Sequence, residues 1–152
     1  MAAMSDYLEN KIVDAIFRGQ TFPALPTLYI GLTTNPLFDA NTGANASEFA
    51  GTGGYARVAL TSSLTTWMGT NSNAVGTVSA GTDGTIRNNT AITFPAPTGN
   101  WGVANSFGLF DSATIGAGNL LFYGQLTNPK TINNGDAAPS FTVNTLTIQI
   151  DN

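Results

Sequence analysis

Only one segment of this sequence repeats its apolar residues at helical spacing. It runs from Asp6 to Arg18, where Leu8, Ile12 and Ile16 recur every four residues with Val13 and Phe17 beside them. Ser5 or Asp6 can cap it, Glu9 follows Asp6 by three as in a capping box, and Gly19 offers a left-handed stop. Asp6, Glu9 and Asp14 fall on its polar side. Beyond it, apolar residues come in short runs cut by Gly, Pro, Asn and Ser. A chain patterned this way can build a core by packing sheets face to face. The expected fold is therefore mainly β: an antiparallel β-sandwich or jelly roll with one N-terminal α-helix.

The predicted strands are "TLYIGLT" (Thr27–Thr33), "GYARVALTS" (Gly54–Ser62), "TAITFP" (Thr90–Pro95), "VANSFGLF" (Val103–Phe110), "NLLFYGQLT" (Asn119–Thr127) and "SFTVNTLTIQI" (Ser140–Ile150). Alternation places Val103, Phe107 and Leu109 on one face. It likewise groups Leu120, Phe122 and Leu126, with Leu121 and Tyr123 opposite. In the last run Phe141 and Val143 are odd-numbered and Leu146, Ile148 and Ile150 even. The inward parity flips at Asn144–Thr145, as at a β-bulge, a strand bend or a break between two short strands. The whole chain, 1–152, is expected to be a single domain: the helix over 5–18 and the sandwich over 27–151. Two long connections interrupt it, 35–54 and 63–84, the second with a possible short strand near Val75–Val78. Loops of that length inside a domain are usually functional or mobile. Both are expected to be arms that order against neighbouring molecules. Their large apolar residues, Leu37, Phe38, Phe49, Trp67 and Met68, are the candidate partner contacts.

Composition narrows the chemistry. Only 9% of the residues are charged, against about 25% in an ordinary soluble domain, and the net charge is −4. Lys11, Arg18, Arg57, Arg87 and Lys130 are scattered, so no basic footprint for nucleic acid is visible. The longest apolar runs fall far short of a membrane span, and "MAAMSDYLENK" does not read as a secretory signal. There is no cysteine and no histidine, which removes thiolate chemistry, the commonest general base and the commonest transition-metal ligand together. Neutral amides and hydroxyls replace charge, which suits a protein held in a crowded assembly.

The candidate sites are few. Asp111 and Ser112 lack a histidine to form a triad, and their side chains suit a turn. No carboxylate pair for a glycosidase can be chosen among Asp39, Glu48, Asp83, Asp111, Asp136 and Asp151. "DANTGANASE" (Asp39–Glu48) offers oxygens at Asp39, Asn41 and Glu48 but departs from an EF-hand spacing. "GTGG" (Gly51–Gly54) lacks the lysine of a phosphate loop and reads as a flexible lead-in to Tyr55. Asn45 and Asn88 head glycosylation triplets, which chance explains in a chain this rich in Asn and Thr. Trp67 and Trp101 lie outside the confident strands and are candidates for a surface role or for plugging one end of the sandwich. No catalytic residue, cofactor or metal is expected.

"SDYLENKIVDAIFRGQTF", "GGYARVAL" and "ITFPAPTGNWGVANSFGLFDSATIGAGNLLFYGQL" resemble a family of small tailed-bacteriophage virion proteins often labelled tail fibre protein. The resemblance covers most of the chain in order. It implies a structural component of the phage particle, similar to capsid cement or decoration proteins with jelly-roll or sandwich cores. The expectation is a non-enzymatic virion protein, a homotrimer that binds the major capsid protein lattice and stabilises the shell. The alternative is a tail-fibre module that recognises host surface glycan through a solvent-facing Trp67 or Tyr55.

Overall fold

A computed structural model describes residues 2–70, 75–80 and 84–150. It shows a β-sandwich with one helix. The larger sheet has the order β1-β8-β7-β2-β3, formed by Ala3–Met4 (β1), Thr27–Thr33 (β2), Val58–Thr61 (β3), Gly102–Phe110 (β7) and Leu120–Ile132 (β8). Facing it are two small sheets. One joins Thr147–Gln149 (β10), Thr85–Asn88 (β5) and Trp67–Met68 (β4), and the other joins Ile92–Thr93 (β6) and Ser140–Phe141 (β9). The ladders formed by these strands are antiparallel. The main core, with Ile30, Leu32, Phe107, Leu109, Phe94 and Ile148, fills the space between the layers. A second cluster, Leu37, Ala46, Phe110 and Leu120, is separate from it.

The helix α1 spans Asp6–Phe17, and Ser5 is its N-cap. The Ser5 hydroxyl accepts from the Leu8 N–H at 3.3 Å and donates to the Leu120 carbonyl at 2.5 Å. This reach across the chain settles the choice between Ser5 and Asp6. At the far end Gly19 is left-handed (φ 66), and the Arg18 and Gln20 N–H groups both donate to the Asp14 carbonyl. Only Leu8 of the predicted apolar stripe is buried. Ile12 is half-buried, while Val13, Ile16 and Phe17 are 49%, 66% and 78% exposed.

Two register shifts correct the parity expected from alternation. The pairing of β7 with β8 slips between Ala104 and Ser106, which turns Val103 outward and Ala104 inward. It slips again where Leu109 faces Phe122 but Phe110 faces Leu120. Leu120 therefore joins the second cluster and Phe122 packs on the main core, while Leu121 is the extra residue between them.

Other strand boundaries move as well. The second predicted strand starts at Val58 and not Gly54, because Tyr55 and Arg57 turn inward to make side-chain bonds. Strand β6 is only Ile92–Thr93, and β1, β4 and β5 were not expected. Residues 75–78 form no strand, and Val78 is exposed. Asp83 and Asp151 lie outside the described residues.

The last predicted strand divides into β9 and β10, which belong to different sheets. Asn144 sits between them at φ 67. The joint is held by buried Asn88. Its amide nitrogen donates to Thr90 O and Thr142 O, both at 2.8 Å, and its amide oxygen accepts from Leu146 N at 2.8 Å. The parity change at Asn144–Thr145 is thus a turn between two short strands. Burial of Asn88 also closes it to glycosylation in the folded chain.

Asn88→Ala strips this turn of its side-chain bonds and leaves the buried Leu146 N–H unpaired. A loss of about 2–4 kcal/mol is expected in urea unfolding. Asn89→Ala is expected to cost less, because the bond of its amide to Thr65 O is exposed.

Candidate assembly surface

Glu48, one of the candidate acids, is directed into the fold. Glu48 and Arg57 form a buried ion pair, Nη2 to Oε2 at 2.7 Å, with Nε 3.0 Å from each carboxylate oxygen. Arg57 Nη1 donates to the carbonyls of Ser112 (2.6 Å) and Ala117 (3.1 Å), and the guanidinium lies 3.8 Å from the Phe110 ring centroid. One arginine therefore joins the 35–54 arm, the chain before β3 and the loop between β7 and β8.

Tyr55 completes the cluster. Its hydroxyl accepts from Leu32 N–H and donates to Glu48 Oε1, both at 2.8 Å. Strand β3 reaches only as far as Ile30 on β2, so Tyr55 serves the strand edge just beyond. The arm then takes over, with a bridge from Thr33 to Glu48 and a bond from Thr34 N to Ser47 O at 3.0 Å. Gly31 makes this approach possible, since a Cβ there would stand 2.4 Å from Glu48 Oε1. Burial, then the adjacent Glu48 carboxylate, pushes the Tyr55 phenol far above its ordinary range.

Asp111 and Ser112 do turn the hairpin. Asp111 accepts from the Asn119 backbone N–H and side-chain amide, both at 2.7 Å, and the Ser112 hydroxyl accepts from Thr114 N. The oxygens of Asp39–Glu48 do not converge: Asp39 takes the Tyr123 hydroxyl, Asn41 caps Phe38 N, and Glu48 faces Arg57. Among the described residues no group of three or more His, Cys, Asp or Glu could hold a metal. The "GTGG" segment is a built corner rather than a flexible lead-in. Gly53 and Gly54 have positive φ, and Gly53 O accepts from Trp101 Nε1 at 2.7 Å. Trp101 is buried, packed edge-on to Tyr55 at 5.1 Å, so it belongs to the core and not to a sugar platform. Tyr55 itself is only 3% exposed.

The candidate contact residues divide. Leu37 and Phe49 are buried in the two clusters. Phe38 is 67% exposed. Trp67 and Met68, half-buried on β4, line an open cleft of about 270 Å³ with Leu28, Leu64 and Ile86. A second apolar cleft of about 250 Å³ opens between the helix and the sheet, lined by Leu8, Ile12, Phe22, Leu121 and Ile150. Leu28 and Phe122 border both. With Val13, Ile16, Phe17 and Phe22 exposed beside the second cleft, the molecule presents a broad apolar surface, the kind that marks an interaction site. The spacing along the helix marks one apolar stripe, of which Leu8 is buried. That only Leu8 would be covered depends on how Ser5 and Asp6 anchor the helix to Leu120, Leu121 and Asp39.

The family described as Podophage GP4 fiber I protein gp80 matches residues 3–149. The chain belongs to this family. It is a tailed-phage virion protein with a structural role in the particle. No curated protein matches it. Within the motifs that carry the resemblance, Tyr55, Arg57, Phe94, Trp101 and Phe110 belong to the buried joint and the rings around it.

Removing one partner of the buried pair leaves the other charged and unpaired. Arg57→Met is expected to cost about 3–5 kcal/mol in urea unfolding. Exposed Arg18→Met, which breaks only an i,i+4 pair, is expected to cost under about 0.5 kcal/mol. Alkali is expected to unfold the protein. Burial, then the bond to Asp39, raises the Tyr123 phenol to about 12, and Tyr55 is raised further. Both pKa values are higher in the folded than in the unfolded chain. Their contribution is intact below the ordinary tyrosine value of 10.0 and is lost as pH rises through the folded values. Urea midpoints should be lower at about pH 11 than at about pH 8, and Tyr55→Phe should flatten that slope.

Proposed function

We propose that the protein is a non-catalytic fibre subunit of the virion that works as a homo-oligomer by docking apolar surfaces. The observation that carries this reading is the division of its chemistry. Glu48, Arg57 and Tyr55 are committed to an internal joint, while large apolar side chains of α1 and the two clefts remain uncovered in the single chain. The family description supplies the fibre. A surface poor in charge offers little repulsion between copies, and the cleft at Trp67, flanked by exposed Leu64, supports self-association there. Three copies remain the expected order.

Glycan recognition finds less support. Sugar sites combine an aromatic face with convergent polar groups. Trp101 and Tyr55 are buried, and although Ser62, Ser63, Thr77 and Ser79 also line the Trp67 cleft, its exposed surface is mostly apolar. The capsid-cement reading draws on the same apolar surface and differs in where the copies sit.

Antibody labelling of intact particles in the electron microscope tests the assignment. Label on a tail appendage is expected. Label spread over the capsid lattice, in hundreds of copies, would replace the fibre by a cement protein. Light scattering on the purified protein should return an oligomer, with Leu64→Glu shifting it towards monomer. The oligomer is expected to release no reducing sugar from host polysaccharide, and release would overturn the non-catalytic reading.

A further inference from the structure

Three carboxylates gather at the N-terminal half of α1. Asp6 and Glu9 are exposed on the helix, and the Asp39 carbonyl accepts from Asp6 N–H at 3.0 Å. The Asp39 carboxylate holds the Tyr123 hydroxyl, and all three acids bear on that phenol. Among the described residues, none of the three forms an ion pair, whereas Asp14 pairs with Arg18 and Glu48 with Arg57. Lys11, the other cation of the helix, lies 5.6 Å from the Tyr7 ring centroid. Asp6, Glu9 and Asp39 therefore make the N-terminal half of α1 locally acidic.

The same element is short of cover. Val13, Ile16 and Phe17 extend its exposed side towards the C-terminal end, and Phe38 stands out next to Asp39. At about 100° per residue, Glu9, Val13, Ile16 and Phe17 fall within one arc of roughly 100°, centred about 130° round from Leu8. A helix of 12 residues is marginal without an apolar face against something. The outer side of α1 thus has an acidic half and an apolar half.

We propose that this ridge seats in an apolar groove of a different virion protein whose rim carries lysine or arginine. The inference rests on the reading of the chain as a virion subunit that docks by apolar surface, and it names the partner's chemistry. Helix-in-groove contacts take anchors at this spacing, and complementary charge at the rim fixes their register. A second copy of this chain is a poor occupant. It brings the same acids and a net charge of −4; its Arg57 is buried, its Arg18 is held by Asp14, and its lysines Lys11 and Lys130 stand on different elements, α1 and β8. Nucleic acid and anionic lipid are repelled by the same charge.

A photo-crosslinking residue placed at Phe17, in protein incorporated into intact particles, tests the contact. The expected adduct is with another virion protein, at a peptide with lysine or arginine near the crosslink. An adduct with a second copy, or none at all, overturns the proposal. The charge requirement is read by co-expressing wild type with Asp6→Asn/Glu9→Gln and measuring their ratio in purified particles by mass spectrometry. The double variant should be under-represented on the order of fivefold. Asp14→Asn removes a helix acid already held by Arg18 and should incorporate as wild type. Equal incorporation of the double variant, or equal loss of both variants, overturns the stated partner. Antibody position on the particle is a separate reading, so the fibre assignment can fail while this contact stands, and the reverse.

Discussion

The Glu48–Arg57 pair is the point at which otherwise separate pieces of chain are made to agree. Coulomb attraction alone does not justify two charges out of water, because desolvation offsets most of it. What makes the site workable is saturation. Arg57 places Nε and Nη2 on the carboxylate, Nη1 on two loop carbonyls, and its flat face on Phe110. Glu48 receives the Tyr55 hydroxyl in addition. Each bond comes from a different stretch of sequence, so the cluster can form only when the arm, the corner at Gly53–Gly54 and the β7–β8 loop are all in place. It fixes one arrangement among many that apolar packing alone would tolerate.

An aromatic group extends the joint into the main core. Phe49 packs edge-on to Tyr55 at 5.4 Å, Tyr55 lies parallel to Phe94 at 6.3 Å, and Trp101 meets Phe49 at 6.1 Å. These rings come from the arm, the corner, the strand β6 region and the approach to β7. The 35–54 arm is thereby part of the subunit and not a free tether. It completes the edge of β2 beyond β3, where unpaired backbone would otherwise invite another chain. Interaction capacity is left elsewhere, on α1 and the two clefts.

The legible features were those with a local cause. Strand β2 has the bounds of its own apolar run, Thr27–Thr33. The cap and stop of α1 follow from Ser5 and Gly19, and the hairpin turn from the side chains of Asp111 and Ser112. Features that depend on a neighbour were misread. Val103 and Leu120 alternate correctly in isolation, yet a register shift against the partner strand moves each to the other side. Tyr55 and Arg57 look like strand residues, and it is Glu48 and Leu32 that draw them inward. Asn88 looks like surface until the turn at Asn144 closes over it.

By itself the sequence determined the class of fold, the single helix, and the absence of thiol and imidazole chemistry. Each of these is a matter of residue type or of spacing along one segment. Tertiary structure decided which apolar residues remain outside. Phe49 and Leu37 are covered because the arm folds back onto the sheet, while the bonds of Ser5 and Asp6 that anchor α1 lie at the end opposite Ile16 and Phe17. Burial is set by what arrives from elsewhere in the chain, and a local pattern of apolar residues does not contain that.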